Sequence, residues 1–261
     1  MSITVFDVPM RILILLFAFA FGAVFASFFT CMGGRIAQGR DWVKERSTCD
    51  SCGHVLGARD LIPIFSYLSA NGKCRYCGAK IPISCLVSEV LLGIYYVLCV
   101  LRFGISAEAL RCMALSGLLL GLSIVDLEIY EIPDGFIIAG IVLWVITIPF
   151  VQTPWLTEVK QGLLGGLLIG GGMLVLSLIF DRISGKESLG GGDIKLFFMT
   201  GLFLKPACGL LSLILSCMVG LGFVLLLKKS KIPFGPAISI ATCVTLLYGS
   251  YAVEWYLGLF L

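Results

Sequence analysis

Long uninterrupted stretches of apolar residues follow one another along most of this chain. A helix needs roughly 17–25 predominantly apolar residues to cross the hydrocarbon of a bilayer. Seven stretches reach that length: residues 10–32, 84–101, 109–125, 135–151, 161–180, 207–227 and 236–256. A shorter apolar run, residues 194–204, follows Asp193 directly and is interpreted as a short or tilted membrane helix. The pattern predicts an all-α polytopic membrane protein with about eight transmembrane segments.

The composition supports this class and excludes a soluble protein. Hydrophobic residues make up 59% of the 261 residues, charged residues make up 13%, and the mean hydropathy is +1.03. Soluble globular domains carry about 25% charged residues, so this chain has too little charge to cover a surface that faces water. The net charge of +3 is also too small to indicate nucleic acid as a partner.

The basic residues are distributed unevenly among the loops, which predicts the orientation in the membrane. Eight of the 19 Lys and Arg residues lie between residues 33 and 82. With strict alternation of eight segments, the same side also receives Arg182, Lys186, Lys195 and the three lysines of residues 228–231. The other side then has only five basic residues: Arg11, Arg102, Arg111, Lys160 and Lys205. Because short loops rich in Lys and Arg remain cytoplasmic, we predict that the 33–82 loop is cytoplasmic.

Four cysteines of this loop have the spacing of a metal site. Cys49 and Cys52 are separated by two residues, and so are Cys74 and Cys77. Four thiolates at such spacing suit tetrahedral Zn²⁺ and leave no open position on the metal, so the zinc is expected to be structural. Two disulfides are the alternative, although a cytoplasmic loop would keep its thiols reduced. His54, the only histidine of the chain, is interpreted as a surface residue and not as a ligand.

Two aspartates mark the boundaries of apolar segments. Asp126 ends the apolar run of residues 115–125, and Asp193 follows three glycines and precedes residues 194–204. On the predicted topology both lie at the cytoplasmic edge of the membrane. Ionisable groups at membrane depth are costly and are often functional, although both residues could be ordinary interfacial acids, with Asp193 a helix N-cap. Two carboxylates that share a site can hydrolyse a peptide without a histidine or a catalytic metal.

The motifs around these residues resemble those of one family, the bacterial type IV prepilin peptidases, which are GxGD-type membrane aspartyl proteases. Residues 190–193 fit the GxGD motif, and Asp126 with residues 132–134 is similar to the family's other catalytic-aspartate motif. The similarity extends to the cysteine loop and to flanking elements, at residues 60–68, 72–78, 86–89 and 232–237. It therefore covers nearly the whole chain.

The resemblance implies an enzyme with Asp126 and Asp193 as its catalytic pair. The implied substrate is a type IV prepilin or a secretion-system pseudopilin with a basic leader in the cytoplasm and an apolar helix among membrane lipids. Family members with the cysteine loop commonly also methylate the new N-terminal residue, using S-adenosylmethionine. The methyl-donor site is unknown, and Glu89, inside the second apolar segment, is only a weak candidate for it.

The chain departs from the family in the segment associated with methylation. Residues 26–30 read Ala-Ser-Phe-Phe-Thr, where the family usually shows Gly-Ser-Phe-Leu-Asn. A peptidase without methyltransferase activity therefore remains an alternative. A cation-coupled transporter with intramembrane aspartates is an alternative of another class, and a non-enzymatic assembly factor is a third.

The protein is predicted to lie in the bacterial cytoplasmic (inner) membrane and to consist of three parts. They are a first transmembrane helix (1–32), a zinc-binding loop (33–83) and a transmembrane aspartyl protease domain (84–261).

Overall fold

The computed structural model of the chain is built from α-helices and describes residues 3–185, 189–227 and 232–259. Within these ranges the only β-structure consists of two isolated bridges. Lys186 and the lysines of residues 228–231, which contributed to the predicted orientation, lie outside the described residues. The helices are α1 (Val8–Ala37), α2 (Phe65–Ser69), α3 (Ile83–Phe103), α4 (Ala107–Ile129), α5 (Asp134–Thr147), α6 (Trp155–Gly166), α7 (Gly172–Ser184), α8 (Gly191–Leu227) and α9 (Gly235–Leu257).

The helices confirm a polytopic, all-α membrane protein. Six helical stretches of the described chain are long and apolar enough to cross a membrane, and Asp134–Phe150 is a shorter apolar helix. The backbone of α8 is not helical at Lys205, where φ is 63° and ψ is 174°. Pro206 follows, and proline lacks an amide donor and disfavours helical geometry at the residue before it. With α8 divided there, the segments agree roughly with the predicted eight.

Contacts divide the chain into two compact units, residues 1–109 and 110–261. The predicted boundaries after residues 32 and 83 do not coincide with this division, and that three-part organisation stays a prediction.

In the first unit, α1 and α3 pack against each other with little space between their backbones. A Cβ atom added to Gly22 of α1 would lie 2.8 Å from the Cα of Gly93 in α3. Nearer the cysteine-rich loop, the hydroxyl groups of Thr30 and Ser88 form a hydrogen bond of 3.1 Å between the two helices. Glycine at the contact lets the helices approach closely, as in many membrane helix pairs.

The second unit is organised around α8, which packs against α5, α6 and α9. A Cβ on Gly165 of α6 would collide with the carbonyl of Gly201 in α8. Between α6 and α7 the helix widens into a π-helical stretch, Leu167–Gly171, and a Cβ on Gly170 would lie 2.6 Å from the Cβ of Phe198. These glycines therefore allow close helix packing in the unit that contains both aspartates.

A buried cluster of charges joins three helices of this unit. Glu158 of α6 is 1% exposed and accepts hydrogen bonds from Arg111 Nη1 at 2.6 Å and from Thr153 Oγ1 at 2.8 Å. Lys205 Nζ, at the break in α8, lies 2.9 Å from the same carboxylate. Buried charges are tolerated only when they are paired in this way. Arg111 precedes Asp126 by fifteen residues on α4, about 22 Å along the helix axis, so the cluster lies far from the aspartates.

Candidate active site and metal centre

Asp126 lies near the end of α4 and contacts the first residue of α9. Its side chain is 4% exposed, and its Oδ2 accepts a hydrogen bond of 2.7 Å from the backbone N–H of Gly235. The first N–H groups of a helix have no partner within it, and the helix dipole favours a carboxylate at this end. A Cβ at position 235 would lie 2.6 Å from Oδ2 of Asp126, so a larger residue there would displace the carboxylate.

A pair of serines holds the two helices together one turn below this contact. Ser123 Oγ lies 2.9 Å from Ser239 Oγ, and Ser239 Oγ donates to the carbonyl oxygen of Gly235 at 2.8 Å. Residues three apart on a helix share a face, so Ser123 and Asp126 both point from α4 towards α9. The N–H of Gly235 is thereby fixed in place opposite the carboxylate.

Asp193 is the third residue of α8, and the glycines before it shape the start of that helix. Its N–H donates to the carbonyl oxygen of Gly190 at 3.0 Å, which forms the first turn. A Cβ on Gly192 would lie 3.0 Å from the Cβ of Ile132, in the connection between α4 and α5. Gly192 therefore lets the segment that follows Asp126 approach the residue next to Asp193.

An ion pair strengthens this approach. Lys195 Nζ, two residues after Asp193, lies 2.7 Å from Oδ1 of Asp134, the first residue of α5. Both side chains are exposed, so the pair contributes little stability, but it joins the start of α8 to the segment after α4. The charge of Asp126 acts on Asp193 across the space between these segments. The fold thus brings together two aspartates that are 67 positions apart in the chain.

The four cysteines of the loop also come together. Their Sγ atoms all lie within 4.8 Å of one another, and the Sγ atoms of Cys49 and Cys77 are 3.9 Å apart. Zn–S bonds of about 2.3 Å in a tetrahedron place the sulfur atoms about 3.8 Å apart, so the cluster fits a zinc ion. The structure pairs none of these four cysteines in a disulfide.

The pKa values of two of these thiols depend on their close neighbours. Backbone N–H groups of Cys52 and Ser51 hydrogen-bond to Cys49 and lower the pKa of its thiol to about 7. The N–H of Ala79 acts in the same direction on Cys77, but desolvation and the three neighbouring thiols outweigh it and raise the pKa of Cys77 to about 12. A bound cation would lower the pKa of each ligand thiol and allow all four to ionise.

His54 takes part in the contacts between the two cysteine pairs. Its ring stacks on Tyr76, with the ring centroids 3.6 Å apart. The Tyr76 hydroxyl donates to Oδ2 of Asp60 at 3.1 Å, and this hydrogen bond raises the pKa of Tyr76. The cluster of candidate ligands consists of the four cysteines and does not include His54.

Comparisons with known proteins identify the family. Residues 20–103 match the Bacterial Peptidase A24 N-terminal domain, and residues 113–225 match the Type IV leader peptidase family. The Prepilin leader peptidase/N-methyltransferase of Bacillus subtilis (strain 168) is 30% identical over 247 residues, which cover 92% of this chain and 96% of that protein. The chain belongs to the type IV leader peptidase family.

Other members of the type IV leader peptidase family are similarly related. The Prepilin leader peptidase/N-methyltransferase of Aeromonas hydrophila is 32% identical over 230 residues, 83% of this chain and 76% of that protein. The protein of the same name from Pseudomonas putida is 30% identical over 210 residues, 78% of this chain and 72% of that protein. No solved structure matches the chain significantly.

Glu89, the weak candidate for a methyl-donor site, binds the backbone of the cysteine loop. It is 8% exposed, and its Oε2 accepts a hydrogen bond of 2.6 Å from the backbone N–H of Ile64. Ile64 has a φ of 63°, which is unfavourable for a β-branched residue. Glu89 therefore fastens a strained turn of the loop to α3, and its assignment to the methyl donor stays a prediction.

Two residues of the second unit were not identified from the sequence. Gly235 lies in the family element at residues 232–237, but it contributes a backbone N–H, which side-chain chemistry does not reveal. Glu158 looks like an ordinary interfacial acid, because its partners Arg111 and Lys205 are each 47 positions away. For Gly235 the only available signal was its position directly before a proline at a predicted helix start.

Proposed function

We propose that this chain is a membrane aspartyl endopeptidase that removes the leader from type IV prepilins or pseudopilins and then methylates the new N-terminal residue. The names of the similar proteins, Prepilin leader peptidase/N-methyltransferase, support both activities. Two observations support the peptidase assignment: the charge of Asp126 acts on Asp193, and the carboxylate of Asp126 meets the first N–H of α9 while Asp193 lies in the first turn of α8.

In the proposed reaction, the two carboxyl groups divide the work of hydrolysis. One is ionised and takes a proton from a water molecule, whose oxygen then forms a bond to the carbonyl carbon of the scissile peptide. The other is protonated and gives its proton to the carbonyl oxygen. When the C–N bond breaks, the carboxyl group that took the proton from water gives it to the departing amine, and the hydroxyl formed on the carbonyl oxygen returns its proton to the other carboxylate. In this proposal the N–H of Gly235 holds Oδ2 of Asp126, and Oδ1 is the oxygen available for the water.

We place this site at the cytoplasmic edge of the inner membrane. The proposal rests on the positive-inside rule and on the basic residues of the cysteine loop. A site at that edge suits a substrate whose leader is cytoplasmic and whose following helix is in the membrane. Exposed acids beside the site, such as Glu131, would attract a basic leader.

For the second activity, S-adenosylmethionine would supply an electrophilic methyl group on sulfur, and the new N-terminal amine of the substrate would accept it and lose a proton. Zinc held by Cys49, Cys52, Cys74 and Cys77 would have a structural role, because four cysteine ligands leave no place for a substrate. The residues that bind the methyl donor are not assigned.

Product masses provide the test of both activities. The purified protein is incubated in detergent with a prepilin, with and without S-adenosylmethionine. We expect loss of the leader in both reactions and one additional methyl group only with the methyl donor. Asp126→Asn and Asp193→Asn should each abolish cleavage while zinc content stays normal, whereas Asp181→Asn, an acid at the end of α7, should cleave normally. Full cleavage by either active-site variant would contradict the proposed catalytic pair.

One observation favours the narrower alternative, a peptidase that does not methylate. Thr30 replaces the asparagine that the family usually has, and its hydroxyl is engaged with Ser88, next to Glu89. Cleaved product with no added methyl group in the presence of S-adenosylmethionine would establish this alternative. Absence of cleavage under all conditions would instead favour the transporter or the assembly factor.

A further inference from the structure

The second cysteine pair lies in a short hairpin that presents two lysines side by side. The N–H of Cys74 donates to the carbonyl oxygen of Ala79, and the N–H of Ile81 donates to that of Gly72, each at 2.8 Å. Between these hydrogen bonds, Lys73 and Lys80 form an antiparallel bridge. In this arrangement the two residues are a non-hydrogen-bonded pair, whose side chains are neighbours on one face.

The first cysteine pair has the same hairpin with a different residue pair. The N–H of Cys49 donates to the carbonyl oxygen of His54 at 2.9 Å. The N–H of Leu56 donates to the carbonyl oxygen of Ser47 at 2.8 Å. Thr48 and Val55 occupy the bridge there. Both are uncharged residues that favour such a pairing, so the metal-binding hairpin does not require two lysines at this position.

The lysine pair is unfavourable unless an anion accompanies it. Like charges directly opposite each other destabilise an antiparallel pair. Among the described residues, neither Lys73 nor Lys80 has an acidic partner within 4.0 Å. The hairpin therefore has two positive charges on one face that the described part of the chain does not neutralise.

These lysines line a surface cavity at the membrane end of the loop. The cavity has a volume of about 460 Å³, and Tyr67 and Asn71 add polar groups to its wall. Its apolar part includes Ile83, which is 67% exposed. Ile83 is the first residue of α3, a candidate membrane span. Positive charge, hydrogen-bonding groups and exposed apolar surface thus adjoin at the point where α3 enters the membrane.

We propose that this cavity binds the phosphate headgroup of an anionic phospholipid, with Lys73 and Lys80 on the phosphate and the acyl chains along the start of α3. Lysines beside a membrane helix are the usual means of attracting such lipids. S-adenosylmethionine fits this site poorly, since its sulfonium and ammonium groups outnumber its one carboxylate and two lysines would repel it. Bound lipid would anchor the zinc loop to the membrane surface.

The test measures lipid binding to the full-length, zinc-loaded protein in neutral detergent. Native mass spectrometry follows the titration with phosphatidylglycerol, and with phosphatidylcholine as the uncharged comparison. We expect preferential binding of phosphatidylglycerol and about 25-fold weaker binding to Lys73→Gln/Lys80→Gln, because each lysine near an anionic headgroup contributes about fivefold. Lys44→Gln/Arg46→Gln, which removes the same charge elsewhere in the loop, should bind as the unaltered protein does. Inorganic phosphate should compete weakly, since it lacks acyl chains.

Several outcomes would overturn the proposal. These are equal binding of the two lipids, equal loss in both double variants, full competition by inorganic phosphate, or loss of S-adenosylmethionine binding in place of lipid binding. Zinc content is measured for each variant, because Lys73 adjoins Cys74. If the double variant loses zinc, Lys80→Gln alone decides, with about fivefold weaker phosphatidylglycerol binding expected and unchanged binding contradicting the proposal.

Discussion

Replacing Gly235 with alanine should disable leader cleavage without unfolding the protein. The new Cβ would lie 2.6 Å from Oδ2 and 3.2 Å from Cγ of Asp126, and Cβ atoms essentially never approach other atoms within 3.0 Å. The carboxylate must therefore move away, which stretches its 2.7 Å hydrogen bond to the N–H of residue 235. The backbone itself accepts alanine, since Gly235 is not among the residues with positive φ.

The expected loss of activity follows from that displacement. A hydrogen bond to a charged group contributes about 1.5–3 kcal/mol, which corresponds to a rate factor of about 10 to 150. Misplacing a reacting group by about 1 Å costs a similar factor of about 10². We therefore expect kcat/KM for leader cleavage to fall about 10²-fold in Gly235→Ala.

A matched glycine provides the control for this prediction. Gly222 lies in α8, and a Cβ added there meets no atom within 4 Å. Gly222→Ala should cleave prepilin at the normal rate, and both variants should melt near the temperature of the unaltered protein. Normal cleavage by Gly235→Ala, or an equal loss in both variants, would show that the contact between Asp126 and α9 does not support catalysis.

Three further perturbations test other parts of the structure. Glu158→Gln removes the anion that pairs with two cations and should lower the free energy of unfolding by about 3 kcal/mol or more, measured by denaturant titration in detergent. The control Lys160→Gln, at an exposed position, should change this free energy little. A loss below about 1 kcal/mol in Glu158→Gln would refute the pairing. Lys195→Glu should slow cleavage severalfold, and adding Asp134→Lys should restore most of the rate; failure of the charge swap to restore it would mean that the ion pair does not position α8. Cys77→Ser should lose bound zinc in elemental analysis, whereas Cys217→Ser, a cysteine of α8 outside the cluster, should retain it; zinc retained by both would exclude the proposed ligands.

The membrane helices could be predicted from the sequence because their length depends mainly on composition. The break in α8 was also visible, since Lys205 and Pro206 separate two apolar runs. The start of the helical stretch Trp155–Ser184 was harder to predict. The apolar stretch of residues 161–180 belongs to a longer helical stretch, Trp155–Ser184. Its first turn includes Glu158, which is buried with partners that are distant in sequence, so the sequence does not show that this turn is part of the packed helix.

The site was predictable to the extent that it consists of reactive side chains. Asp126 and Asp193 interrupt apolar sequence, and the four cysteines have a characteristic spacing, so both groups could be named in advance. The contributions of Gly235 and Gly192 could not, because one supplies a backbone N–H and the other only the absence of a side chain. Such contacts depend on which helices become neighbours, and a single sequence does not specify this.

The most direct measurement for the central claim is chemical cross-linking between positions 126 and 193. Asp126→Cys and Asp193→Cys are introduced into a chain whose seven cysteines outside the zinc cluster are replaced by serine. The protein in membranes is treated with a short bifunctional maleimide, and the linked peptides are identified by mass spectrometry. The account predicts a 126–193 cross-link and none between Asp126→Cys and Lys160→Cys, which lies beside the distant charge cluster. Absence of the 126–193 product, or equal yields from both pairs, would contradict a shared site for the two aspartates.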